Sequence, residues 1–243
     1  MTPTTQLFYW LGVLGMSAGS LYFGFRAAKA GDERSEKLYQ LNFFICLIAS
    51  ALYLVMATGY GAVANAEGYG TRTVWVRYVT WGLSTPLLVL VLTTLGRSRL
   101  PIITALLGAD VFMIATGLIA TLVAEPFNYV WYQVSTGAYL AIAYLLLIPY
   151  RRQAETTYPG KSDAFDRIVT VHLTLWTLYP IVWILSAEGF GFIGSTFEAV
   201  CYTVLDVVAK VGFGLLAAST LRKLDGTNPK SVGQGAGVRT AGD

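Results

Sequence analysis

Lys210 stands in the middle of an apolar stretch, Leu205-Asp206-Val207-Val208-Ala209-Lys210-Val211-Gly212-Phe213-Gly214, too deep to snorkel easily to either end. Two chemistries fit it. Asp206 lies four residues earlier on the same helical face, so the two can form a structural ion pair. A desolvated amine is also nucleophilic toward an aldehyde, which makes Lys210 a candidate for an imine linkage with Asp206 as counterion. Arg77, Thr80, Ser84 and Val91 share a second face, at offsets of three, seven and fourteen residues from the arginine. Hydroxyls on such a face serve either as glue between helices or as hydrogen-bond donors to a bound group. Trp176, Tyr179 and Trp183 form an aromatic stripe that suits core packing. With Trp81 and Tyr132 it equally suits the wall around a long, flat, conjugated ligand. Pro86 is expected to kink its helix and free a carbonyl, for which Thr85 is positioned to compensate.

The elements that hold these residues follow from composition. Of 243 residues, 55% are hydrophobic and 13% charged, about half the usual charged share, and the mean hydropathy is +0.56. The chain belongs in a membrane. A net charge of +3 from 17 basic and 14 acidic residues leaves no basic footprint for nucleic acid. Cys46 and Cys201 both lie inside apolar runs, and His172 is the single histidine, so neither a disulfide framework nor a protein-built metal site is expected.

A bilayer core of about 30 Å needs roughly 20 apolar residues per helix. Seven stretches qualify, near 6–28, 39–64, 74–96, 100–123, 127–150, 168–187 and 197–221. The fold class predicted is an all-α membrane protein, a seven-helix transmembrane bundle. Basic residues collect in alternate connections: Arg26, Lys29, Arg34 and Lys37; Arg97 and Arg99; Arg151, Arg152, Lys161 and Arg167; then Arg222, Lys223, Lys230 and Arg239. The opposite connections carry only Arg72 among bases, with Glu67, Glu125, Glu188 and Glu198. This asymmetry predicts an extracellular N-terminus, a cytoplasmic C-terminus and a multi-pass protein of the plasma membrane. Met1 to Gln6 lacks the basic start of a signal peptide, so the first span is expected to be retained. One domain over 1–224 and a disordered Gly-rich tail over 225–243 complete the organisation.

Four motifs in order carry a resemblance. Arg-Tyr-x-x-Trp-x-x-x-Thr-Pro at 77–86, Gly-Ala-Asp at 108–110, Trp-x-x-Tyr-Pro-x-x-Trp at 176–183 and Asp-x-x-x-Lys-x-Gly-Phe-Gly at 206–214 resemble the microbial rhodopsins over nearly the whole seven-span region. The resemblance implies all-trans retinal on Lys210 as a protonated Schiff base with Asp206 as counterion. It also implies a pocket of Trp81, Thr85, Met113, Gly117, Tyr132, Ser135, Thr136, Trp176, Tyr179 and Trp183. Tyr132 stands where the best-known proton pump has Trp, and Asp110 with Thr85 is similar to the family's structural hydrogen bond between spans three and four.

The substitutions within that scheme select among activities. Proton-pumping relatives carry carboxylates where this chain has Thr80 and Val91, and a hydroxyl cannot serve as proton acceptor near neutrality. Schiff base and Arg77 supply two positive charges against Asp206 alone, so an external anion is expected beside Thr80, Ser84, Arg77, Trp81 and Asp206. Thr80 and Ser84 are similar to the first two members of the halorhodopsin Thr-Ser-Ala triplet, with Val91 replacing the third. Gln three residues before the arginine, frequent in the archaeal pumps, is here Val74.

Along the anion's path the resemblance places Val91, His172, Glu188 and Glu198. His172 is expected as a satisfied structural group, with a hydrogen-bonding exit residue as the alternative. Glu188 and Glu198 are expected as solvated loop-end carboxylates, although they are similar to a proton-release pair. The resulting expectation is a light-driven inward pump for chloride or another halide, not an enzyme, with membrane lipid and chloride as partners and a homo-oligomer, a trimer by analogy. Two other classes stay open. A sensor signalling through a transducer is disfavoured by Ala209, where sensory relatives often have a hydroxyl residue; a light-gated anion channel or a non-pumping rhodopsin is the other.

Overall fold

The computed structural model describes residues 1–64 and 72–225. Seven helices are long and apolar enough to cross a membrane: α1 (Pro3–Ala28), α2 (Glu33–Ala57), α3 (Trp75–Gly96), α4 (Leu100–Leu122), α5 (Phe127–Thr157), α6 (Ser162–Leu185) and α7 (Ser195–Asp225). Between α2 and α3 a short antiparallel ribbon pairs β1 (Val63–Ala64) with β2 (Arg72–Thr73). Helices adjacent in sequence pack in turn, and α7 returns against α1 and α2. Residues 226–243, the expected disordered tail, and Glu67 lie outside the described residues.

The helix ends differ from the apolar stretches for local reasons. The second helix starts at Glu33 rather than near 39, because the Asp32 side chain accepts from the Ser35 amide at 3.0 Å and Glu33 and Glu36 suit the positive end of the helix dipole. It stops at Ala57 rather than 64, since Gly59 and Gly61 both take positive φ and turn the chain toward β1. The fifth helix runs on to Thr157 and the sixth begins at Ser162, polar extensions of membrane spans that hydropathy alone does not mark. Asp225 closes α7 instead of opening the tail.

Two widened π turns interrupt the long helices, Leu146–Tyr150 in α5 and Val208–Gly212 in α7. The first contains Pro149, which has no amide hydrogen to donate; the second contains Lys210. Helix α3 is the most enclosed span, whereas α4 and α5 turn most of their residues outward. Serine hydroxyls act as interhelical glue where α1 meets α2, with Ser17 and Ser50 2.8 Å apart.

Candidate functional site: the Lys210 cavity

Lys210 and Asp206 are 1% and 0% exposed, and Nζ donates to Asp206 Oδ1 at 2.5 Å. The same oxygen accepts from Trp81 Nε1 at 3.2 Å and from the Tyr179 hydroxyl at 2.9 Å. The second oxygen accepts from the Tyr53 hydroxyl at 2.8 Å. Four donors therefore satisfy the oxygens of the buried Asp206 carboxyl group. Tyr53 reaches it because Gly12 of α1 leaves room for the ring: a Cβ there would lie 2.3 Å from Tyr53 Cδ1. Trp81 and Asp206 were expected among the anion's ligands; in the structure both serve the lysine.

A cavity opens beside this pair. All ten expected pocket residues line it: Trp81, Thr85, Met113, Gly117 and Tyr132, then Ser135, Thr136, Trp176, Tyr179 and Trp183, with Lys210 itself. Tyr132 stacks on Trp183 with centroids 4.8 Å apart and planes at 16°, and its hydroxyl donates to the Pro180 carbonyl at 3.2 Å. Ser135 donates to the Met113 carbonyl at 2.8 Å. An apolar, aromatic-walled cavity lined by a buried amine fits a long conjugated aldehyde, so the residues present fit retinal. Sequence reasoning missed Tyr78, Tyr139 and Tyr202 among the lining residues, since a tyrosine in an apolar run has no distinguishing spacing.

Thr85 and Asp110 meet as expected, with Thr85 Oγ1 3.0 Å from Asp110 Oδ2. Compensation for the carbonyl freed by Pro86 does not follow the expectation. Thr85 donates to the Trp81 carbonyl at 2.8 Å, one residue before the carbonyl that the proline frees.

Toward the ribbon end of the bundle the charge arrangement corrects the sequence reading. Arg77 is ion-paired with Glu198, both are 5% exposed, and the guanidinium lies 4.3 Å from the centroid of the Tyr202 ring. Glu198 is thus a buried partner rather than a solvated loop-end group. The first turn of α7 brings it to Arg77, a pairing across 121 residues that no local spacing announces. Lys210 with Asp206 and Arg77 with Glu198 make two cations and two anions, so the expected deficit of one negative charge is absent. Glu188 takes a different partner, accepting from Ser186 Oγ at 2.6 Å.

On the Arg77 face the two hydroxyls behave differently. Thr80 donates to the Val76 carbonyl at 2.9 Å, whereas Ser84, 0% exposed, has no hydrogen-bond partner among the described residues. Val91 is buried among Leu88, Leu92 and other apolar side chains. His172 departs from its expected satisfied state. Its ring packs 4.3 Å from Trp176 and 5.1 Å from Phe213, centroid to centroid, and Nε2 has no partner among the described residues.

Residues 3–224 match the family described as bacteriorhodopsin-like protein. The chain belongs to this family, the microbial rhodopsins. The rhodopsin is 40% identical over 214 residues to a bacteriorhodopsin of Haloterrigena sp. (strain arg-4), covering 87% of this chain and 86% of that one. It is 37% identical over 208 residues to bacteriorhodopsin of Halobacterium salinarum, covering 85% and 79%. Among solved structures it is similar to a cyanorhodopsin from the cyanobacterium Calothrix sp. NIES-2098, with TM-score 0.85, 40% identity and coverage of 90% and 96%. Thermophilic rhodopsin from Rubrobacter xylanophilus gives TM-score 0.84, 35% identity and coverage of 90% and 97%. Family membership implies a retinal chromophore, and with seven spans it makes the protein a multi-pass component of the plasma membrane.

Proposed function

We propose that this rhodopsin is a light-driven inward pump for chloride or another halide, with its N-terminus outside the cell. The observation that carries the reading is Ser84, a fully buried hydroxyl without a hydrogen-bond partner among the described residues, one helical turn from Thr80. Leaving a buried donor unsatisfied costs about 1–3 kcal/mol, and a bound halide removes that cost. Thr80 and Val91 on the same face offer no carboxylate to accept or return a proton, which favours an anion over a proton as cargo. Orientation follows from the basic residues collected in alternate connections.

Retinal, when bound at Lys210, supplies a light-driven change of geometry. The protein's own residues do the rest. Asp206, fixed by Tyr53, Trp81 and Tyr179, stays held beside the lysine nitrogen. Ser84 donates to the halide, joined by Thr80 once its hydroxyl leaves the Val76 carbonyl. Arg77 and Glu198 close the outer side. Leu88, Val91 and Leu92 form the apolar barrier on the inner side, which the anion crosses only when the bundle opens there. No net covalent change results, so the activity is transport and not an enzymatic conversion.

Titrating the retinal-loaded protein with chloride in the dark tests the site. A chloride-dependent absorption maximum that Ser84→Ala weakens by about tenfold in affinity, and Thr80→Val by less, is the expected result. A spectrum indifferent to chloride overturns it.

A further inference from the structure

We propose that Thr121 is the positioning residue of the retinal cavity, acting through Trp183 and Tyr78. Thr121 is 6% exposed, near the end of α4, and its hydroxyl accepts from Trp183 Nε1 at 2.9 Å. It lies 2.5 Å from the Tyr78 hydroxyl and donates to the Gly117 carbonyl at 3.2 Å. Valence fixes the directions. A carbonyl only accepts and an indole N–H only donates, so the single hydrogen of Thr121 goes to Gly117 and Tyr78 must donate to Thr121.

One small hydroxyl thereby joins α3, α4 and α6, and the residues it joins, Tyr78, Gly117 and Trp183, all line the cavity. Its influence reaches further through ring contacts. Trp183 carries Tyr132 stacked upon it, and Tyr78 meets Trp81 edge-on with centroids 5.1 Å apart; Trp81 in turn donates to Asp206. A chain of fixed groups therefore runs from α4 to the counterion of Lys210. Valine has nearly the shape of threonine but can neither accept nor donate, so Thr121→Val leaves two buried donors without an acceptor. Mere packing between helices does not depend on that hydroxyl, which separates the two roles.

The inference rests on retinal occupying this cavity, and the test includes a measurement made without it. In retinal-free protein, ultraviolet resonance Raman difference spectra between parent and T121V report the indole hydrogen bond of Trp183. T121V is expected to weaken that bond. In retinal-loaded protein it is expected to shift the absorption maximum and to speed bleaching by hydroxylamine about tenfold, the factor that loss of one buried hydrogen bond supplies. Thr121→Ser, which keeps the hydroxyl, restores all three. A T121V protein with the parental indole signature and maximum overturns the proposal, as does a T121S protein shifted as far as T121V. If T121V does not fold, Tyr78→Phe with T121S decides. Y78F is expected to leave the Trp183 indole bonded to Thr121 and to shift the maximum less than loss of Trp183, tested as Trp183→Phe. A free indole in Y78F overturns Thr121 as the hub.

Discussion

Glu198 neutralises Arg77 in a buried ion pair braced by the Tyr202 ring, at the ribbon end of the bundle. A halide at Ser84 then adds a negative charge to a site already balanced. Glu198→Gln removes that competing charge and frees the guanidinium, so chloride affinity is expected to rise roughly tenfold, equivalent to about 1.4 kcal/mol of relieved competition. Spectral titrations with chloride in the parent and in E198Q check the competition. Weaker chloride binding in E198Q contradicts the competition.

Lys210→Ala is expected to give a colourless protein, because no other lysine lies within a described span interior and this amine lines the cavity. Absorbance after washing and denaturation is the measurement, and retained visible colour refutes the assignment.

Thr80→Asp places a fixed carboxylate one turn from Ser84, on the face where the anion is proposed to bind. The mutant is expected to lose chloride transport and to gain a slow, strongly blue-shifted phase in flash spectroscopy, since an acceptor for a proton is now present. Adding Val91→Asp is expected to speed recovery from that phase. A T80D protein with the parental chloride-dependent spectrum and pumping rate places the anion elsewhere.

Hydropathy made the seven spans readable because a bilayer demands an apolar length; the motifs held Lys210 and Asp206, and the family resemblance they carry implied the expected pocket. Helix ends were less readable: Glu33 to Leu38 is helical through capping and dipole effects rather than apolarity. The π turn at Val208–Gly212 left no signature in composition. The pairing of Glu198 with Arg77, and Tyr53 altogether, were missed for one physical reason, that each acts across helices. Arg77 finds its partner 121 residues away, and Asp206 receives Tyr53 from 153 residues away. Thr121 is equally invisible in sequence, where it reads as one more hydroxyl near the end of an apolar helix.

Inward anion transport is tested most directly by the pH outside illuminated, unbuffered cells that express the protein with retinal, with and without a protonophore. Anion uptake makes the interior negative and draws protons in passively, so external pH is expected to rise in the light, to rise further with protonophore, and to stop rising when chloride is replaced by an impermeant anion. Acidification in the light that protonophore abolishes means outward proton pumping and contradicts the account.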